Sequence, residues 1–270
     1  MGRFRFYLAI QTVLPDHYGG DPEFARTLAE LGRAGYDGVE LNISDFHAED
    51  PHRLASFLGG FGLTFSQFAT GLAARSQGLS LASIDEDCRR RSVSWTREAL
   101  AFSAAIGAGV IAGFLKGGME ETSDAHRKAL CRSLAELAPE AARLRTPLLV
   151  EAINRGESPL GHSVREVRGL IGAKAGPFVQ VLPDTWHMSI EEPPVEVSLA
   201  PHIGSFSSLH LSDDNRFFPG LGRLDFGKIL AALESGGYRG KFAVEGNVRE
   251  NFSEEAARTA DYLHAFIGER

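Results

Sequence analysis

Thiols are scarce in this chain: Cys88 and Cys131 are its only cysteines, and they form no CxxC pair. That excludes a disulfide framework and a thiolate zinc site, suits a reducing compartment, and leaves both residues expected as small buried hydrophobes. Long apolar runs are also missing. None reaches the ~18 residues that a bilayer span requires, so no membrane partner is expected. The opening MGRFRFYLAIQ has neither the apolar length nor the cleavage site of a secretory signal. Phe6 also stands where a myristoylation pattern needs Ser or Thr, so a cytoplasmic location is expected. There is no excess of positive charge. The net charge is −7, whereas surfaces that hold nucleic-acid phosphates are rich in Lys and Arg. The only dense basic run, Arg89-Arg90-Arg91, lies in a helical pattern and reads as a solvated face. Walker A and GxSxG sequences are absent. Gly107–Ala112 matches GxGxxA but precedes a strand, the wrong order for a dinucleotide site.

What is present is an alternation of strand-like and helix-like segments from end to end. Strands are predicted at Phe4–Ile10, Gly38–Asn42, Thr64–Ala69, Val110–Gly113, Pro147–Ile153, Phe178–Asp184, Phe206–Leu211 and Phe242–Asn247. Asp21-Pro22 and Asp50-Pro51 place an N-cap before a first-turn proline. Ser83–Glu86 and Ser163–Glu166 have capping-box spacing. Glycines close helices at Gly35, Gly107, Gly176 and Gly236-Gly237. Eight such βα units without a Pro/Ser-rich linker predict one domain over residues 1–270, a single (β/α)8 TIM barrel.

The last four predicted strands share a feature: each carries a hard metal-type ligand at or near its downstream end. These are Glu151, Asp184, His210 and Glu245. Each has an ordinary explanation when taken singly. Glu151 pairs with Arg155, Asp184 caps the next helix, and His210 is a satisfied core imidazole. Four in succession are harder to explain, because carboxylates gathered at one barrel mouth repel unless a cation lies between them. Three carboxylates and an imidazole suit Mn²⁺ or Mg²⁺, with Co²⁺ or Zn²⁺ as alternatives. His187, Arg216 and Glu157 follow in the loops after three of these strands, within reach of a bound substrate.

These segments, together with Phe218–Phe226, Gly78–Ser83 and His187–Glu192, resemble the xylose-isomerase-like barrel superfamily over nearly the whole chain. The likeness is greatest to its ketose 3-epimerases, the D-tagatose and D-psicose 3-epimerase group. The resemblance implies one divalent cation held by Glu151, Asp184, His210 and Glu245. It makes Glu151 and Glu245 the acid and base on opposite faces of the sugar, with His187, Arg216 and Glu157 holding substrate oxygens. It further implies C3 epimerisation of a small-molecule ketose through a cis-enediolate, carbohydrate metabolism, and assembly as a homo-dimer or homo-tetramer. Gly246-Asn247 and Asp213-Asp214 depart from the family's pattern and bear on which sugar is accepted. A keto-sugar or hydroxypyruvate-type isomerase, or an inosose/dehydroshikimate-type dehydratase, uses the same parts. The related AP endonucleases need further histidines: Phe65–Ala69 has none, and Gly227 stands where another is required.

Overall fold

A computed structural model describes residues 6–267. Eight parallel strands form the sheet: β1 (Tyr7–Val13), β2 (Gly38–Asn42), β3 (Thr64–Ala69), β4 (Gly109–Ala112), β5 (Leu148–Glu151), β6 (Val179–Leu182), β7 (Ser208–Leu211) and β8 (Lys241–Val244). Their order is β6-β5-β4-β3-β2-β1-β8-β7, with helices in the crossovers. The remaining seam, between β6 and β7, is joined by a parallel bridge at Asp184 and His210. There the His210 amide donates to the Pro183 carbonyl at 3.0 Å. Thr185 reinforces it, donating through Oγ1 to Ser212 O at 2.6 Å and accepting from Ser212 N at 2.8 Å. The eight strands make a nearly closed (β/α)8 barrel, as expected from the sequence.

The two-residue period of a strand decides what enters the barrel. In β5, Leu148 and Val150 belong to the core shared with the helices, whereas Leu149 belongs to a separate cluster with Ala69, Ile111 and Leu182. That small cluster packs the barrel interior. Carried upward, the alternation puts Glu151 on the same inner face as Leu149, and Asp184 on that of Leu182. In β7, Leu209 and Leu211 lie in the outer core, so His210 faces inward; in β8, Phe242 and Val244 do the same for Glu245.

The strands at β2 and β3 match their predicted limits. β1 runs to Val13 rather than stopping at Ile10, and Phe4 and Arg5 lie outside the described residues. β6 and β8 end before Asp184 and Glu245, which therefore lead the following loops. Asp21 and Asp50 cap their helices as expected, each accepting two backbone N–H bonds. The helix expected to start at Ser83 is capped by Asp85, and Ser83 supports that cap by accepting from Asp85 N. Arg90 and Arg91 are exposed, as the solvated-face reading of the basic run expects, but Arg89 is not. It is buried against Glu86, Glu136 and Ser133, which supply enough acceptors to hold a guanidinium out of water. Cys88 and Cys131 are half-buried rather than buried. Among the described residues no helix is long and apolar enough to cross a membrane.

Candidate active site and metal centre

The four inward residues meet at the C-terminal mouth of the barrel. One ligand atom from each of Glu151, Asp184, His210 and Glu245 lies within 4.8 Å of every other. His210 Nδ1 is 2.7 Å from Glu245 Oε2 and 3.3 Å from Glu151 Oε1. All three atoms are buried and none is in hydrogen-bond geometry. Buried polar atoms without partners are costly, and three facing one point fit a divalent cation. Burial opposes charge on His210, but Glu40 and Glu245 outweigh it and hold the imidazole well above its usual pKa. Burial likewise opposes charge on Glu245, whose carboxyl Arg216 and His210 keep well below the carboxylate range.

Asp184 does two jobs. Its Oδ1 caps the helix Thr185–Glu191, accepting from Trp186 N at 2.7 Å, while Oδ2 faces the cluster. Arg216 Nη1 reaches that same Oδ2 at 2.6 Å, and Nη2 reaches Glu245 Oε1 at 3.0 Å. One planar guanidinium thus spans two of the four carboxyl and imidazole groups, stacked 4.5 Å over the Trp186 ring. Its backbone has φ +63°, an uncommon conformation for a non-glycine residue.

His187 is equally constrained. The Asn154 backbone N–H donates to Nδ1, and the Asn154 amide Nδ2 lies 2.8 Å from the same atom. A backbone N–H can only donate, so Nδ1 accepts and the proton of a neutral ring sits on Nε2. That nitrogen is 4.0 Å from Glu151 Oε1. The structure therefore gathers Glu151, Asp184, His187, His210, Arg216 and Glu245. Glu157 stands apart, half-buried on the wall of an adjoining cavity. Arg155 pairs with Glu191 instead of Glu151, and His47, in the turn after β2, is exposed and paired with Asp45 and Glu98.

Sequence reading missed Glu40, Gln11, Lys116 and Asn154. Glu40 is fully buried with Oε1 3.0 Å from His210 Nε2, and Gln11 Nε2 donates to the same oxygen at 2.6 Å. A lone Glu inside Gly38–Asn42 was the available signal, one strand type repeated a fifth time. Lys116 is also fully buried; it donates to the Glu151 carbonyl at 2.7 Å, and burial lowers its pKa to about 7. Asp213 proves to be a loop anchor, accepting from the amides of Gly220, Gly222 and Leu224.

The sequence profile of the xylose isomerase-like TIM barrel family matches residues 28–266. The chain belongs to this family. Within the wider family, it is 28% identical over 264 residues to an L-ribulose 3-epimerase of Mesorhizobium japonicum, covering 91% of this chain and 88% of that protein. Two solved structures share its fold. The D-psicose 3-epimerase of Clostridium cellulolyticum H10 with D-tagatose has a TM-score of 0.83 at 20% identity, covering 97% of this chain and 99% of that one. The 3-keto-D-glucoside 4-epimerase of E. coli has a TM-score of 0.81 at 21% identity, covering 97% of this chain and all of the other.

Proposed function

We propose that this enzyme of the isomerase class is a divalent-metal-dependent sugar epimerase that inverts C3 of a ketose. The carrying observation is the convergence of Glu151 and Glu245, from strands three positions apart around the ring, on one ligand cluster. Two carboxylates reaching a substrate from different sides supply what inversion requires: one takes the C3 proton and the other returns one to the opposite face. An isomerase shuttling a proton on one face needs only one of them.

Glu151, Asp184, His210 and Glu245 would hold the cation, and their hard oxygen-rich set favours Mn²⁺. When bound, the cation would supply Lewis-acid stabilisation of negative charge developing on substrate oxygen, on a proposed route through a cis-enediolate. His187 directs its Nε2–H at the same space and Arg216 brings a fixed positive charge, so both stabilise developing negative charge on substrate oxygen. Arg216 also depresses Glu245, keeping it ionised as the base of the pair. Glu157 is assigned to substrate hydroxyls farther from the reacting carbon.

Proton NMR in D₂O with Mn²⁺-loaded protein and a ketose panel tests this reading. Cation-dependent deuterium at C3 with a new epimer is expected, and Glu151→Gln and Glu245→Gln should each lower turnover by about 10²–10⁴-fold. Full activity in both variants would remove them from these roles. Exchange at C1 with an aldose product would make the enzyme an isomerase.

A further inference from the structure

The ligand cluster opens into a cavity of about 310 Å³, and a second cavity of about 480 Å³ lies beside it. Arg75 and Phe114 belong to the walls of both. The Arg75 guanidinium lies 4.0 Å over the Phe114 ring, so a stacked side-chain pair stands between the two cavities. By itself the first cavity is at the small end of ligand pockets; the two together fall well inside the usual range of ~300–1,000 Å³.

The chemistry of the second cavity is selective. Leu79, Met119 and the face of Phe114 offer an apolar floor, and Glu120, Glu121 and Glu157 add carboxylates. Glu121 is already engaged by Ser80 Oγ and Gly118 N. Glu120 and Glu157 remain as acceptors. Apolar C–H faces with hydroxyl donors at their edges fit such a wall. An anionic group fits it poorly, because Arg75 is the one cation among its lining residues against the carboxylates of Glu120, Glu121 and Glu157.

We infer that the substrate is an uncharged ketose carrying a second sugar unit, and that this unit occupies the second cavity across the Arg75–Phe114 pair. The inference rests on the epimerase reading and narrows its substrate class. The keto-sugar sits over the ligand cluster while hydroxyls of the second ring donate to Glu157 and Glu120. A phosphate in the second cavity would face Glu120, Glu121 and Glu157.

Ketose-terminated disaccharides, isomaltulose and lactulose, are the probes, compared with fructose and tagatose by deuterium exchange at C3 on the Mn²⁺-loaded enzyme. At least one disaccharide should exceed its free ketose in kcat/KM by about tenfold, the size of one well-placed set of contacts. Ser83→Trp fills the second cavity from a position whose hydroxyl serves only the Asp85 amide. It should bring the disaccharide down to the level of the free ketose and leave the free ketose unchanged. Cys88 lines this cavity and gives a readout independent of turnover. In a Cys131→Ser background, the disaccharide should slow maleimide alkylation of Cys88 while fructose at equal concentration does not. Preference for the free ketose, or equal effects of Ser83→Trp on both substrates, or unprotected Cys88, overturns the inference and leaves the epimerase reading standing. No exchange on any sugar overturns the epimerase reading itself.

Discussion

Asp184 and His210 are ligand-type residues of the same cluster and also the bridged pair that joins β6 to β7. Site and seam are therefore one structure. The bridge is made by backbone, however, and the helix cap is made by Asp184 Oδ1, so both survive a change confined to Oδ2.

Asp184→Asn should separate the two roles. The amide oxygen still caps Thr185–Glu191, but the amide nitrogen then faces Arg216 across what was a 2.6 Å ion pair, so thermal stability without added cation is expected to fall while the barrel stays folded. Mn²⁺ affinity should fall by more than the roughly 10–100-fold seen when a supporting residue is lost. Competition with a coloured chelator measures the affinity, and circular dichroism the stability. Unfolding of the variant at ordinary temperature would show that Oδ2 is needed for the seam.

Cation uptake should release protons. His210 is held protonated by its carboxylate neighbours, with a pKa raised well above the usual value, and an imidazole must be neutral to ligate. Affinity should therefore increase with pH up to that raised pKa. Isothermal titration in buffers of differing ionisation enthalpy would report the release; identical heats in all of them would rule it out.

Glu40 should matter to the cation without touching it. Glu40→Ala removes the carboxylate 3.0 Å from His210 Nε2 and frees Gln11, so Mn²⁺ affinity should drop by roughly 10–100-fold with the barrel still folded. Glu40→Gln, which keeps an oxygen for Gln11, should recover part of that loss. Unchanged affinity in Glu40→Ala would assign Glu40 to packing alone.

Lys116 gives a stability signature with a definite sign. Its pKa is about 7 in the fold and near 10.5 when exposed. Below about pH 7 both states carry the charge, and the cost of burying it is fully present. Between those values the unfolded chain keeps a proton that the fold has released, so stability rises with pH. Lys116→Met should thus be most favourable relative to wild type at about pH 6 and lose that advantage toward about pH 9. The lost bond to the Glu151 carbonyl shifts the whole curve without changing its slope. Urea denaturation with EDTA present measures it, and a difference independent of pH would contradict the burial of a charge.

The four ligand-type residues were legible because strand ends are marked by turn residues, and period two then assigns the inner face. The eight-strand count followed from the same punctuation. Lys116 and Arg89 were not legible, because a charged residue in a short segment or helix is ordinarily exposed and only tertiary packing reveals otherwise; Glu40 left one signal, a carboxylate inside a buried strand, and it was not used. Asp184 was read as either a cap or a ligand. Its two oxygens make both readings true, which a one-residue, one-role account could not anticipate. Glu157 was placed by sequence order within reach of a bound substrate, and which part of the substrate it would meet became visible only with the adjoining cavity that it lines.

Gly113 follows β4 on the wall of the cluster cavity, and a Cβ there would lie 2.5 Å from Glu151 Oε2. The clearance above this glycine is the room in which the Glu151 carboxylate sits. For anyone reshaping the mouth to accept a new sugar, that fixes the layout of a library. Position 113 stays glycine, and diversity goes to Val13 and Leu72, exposed residues that line the same cavity.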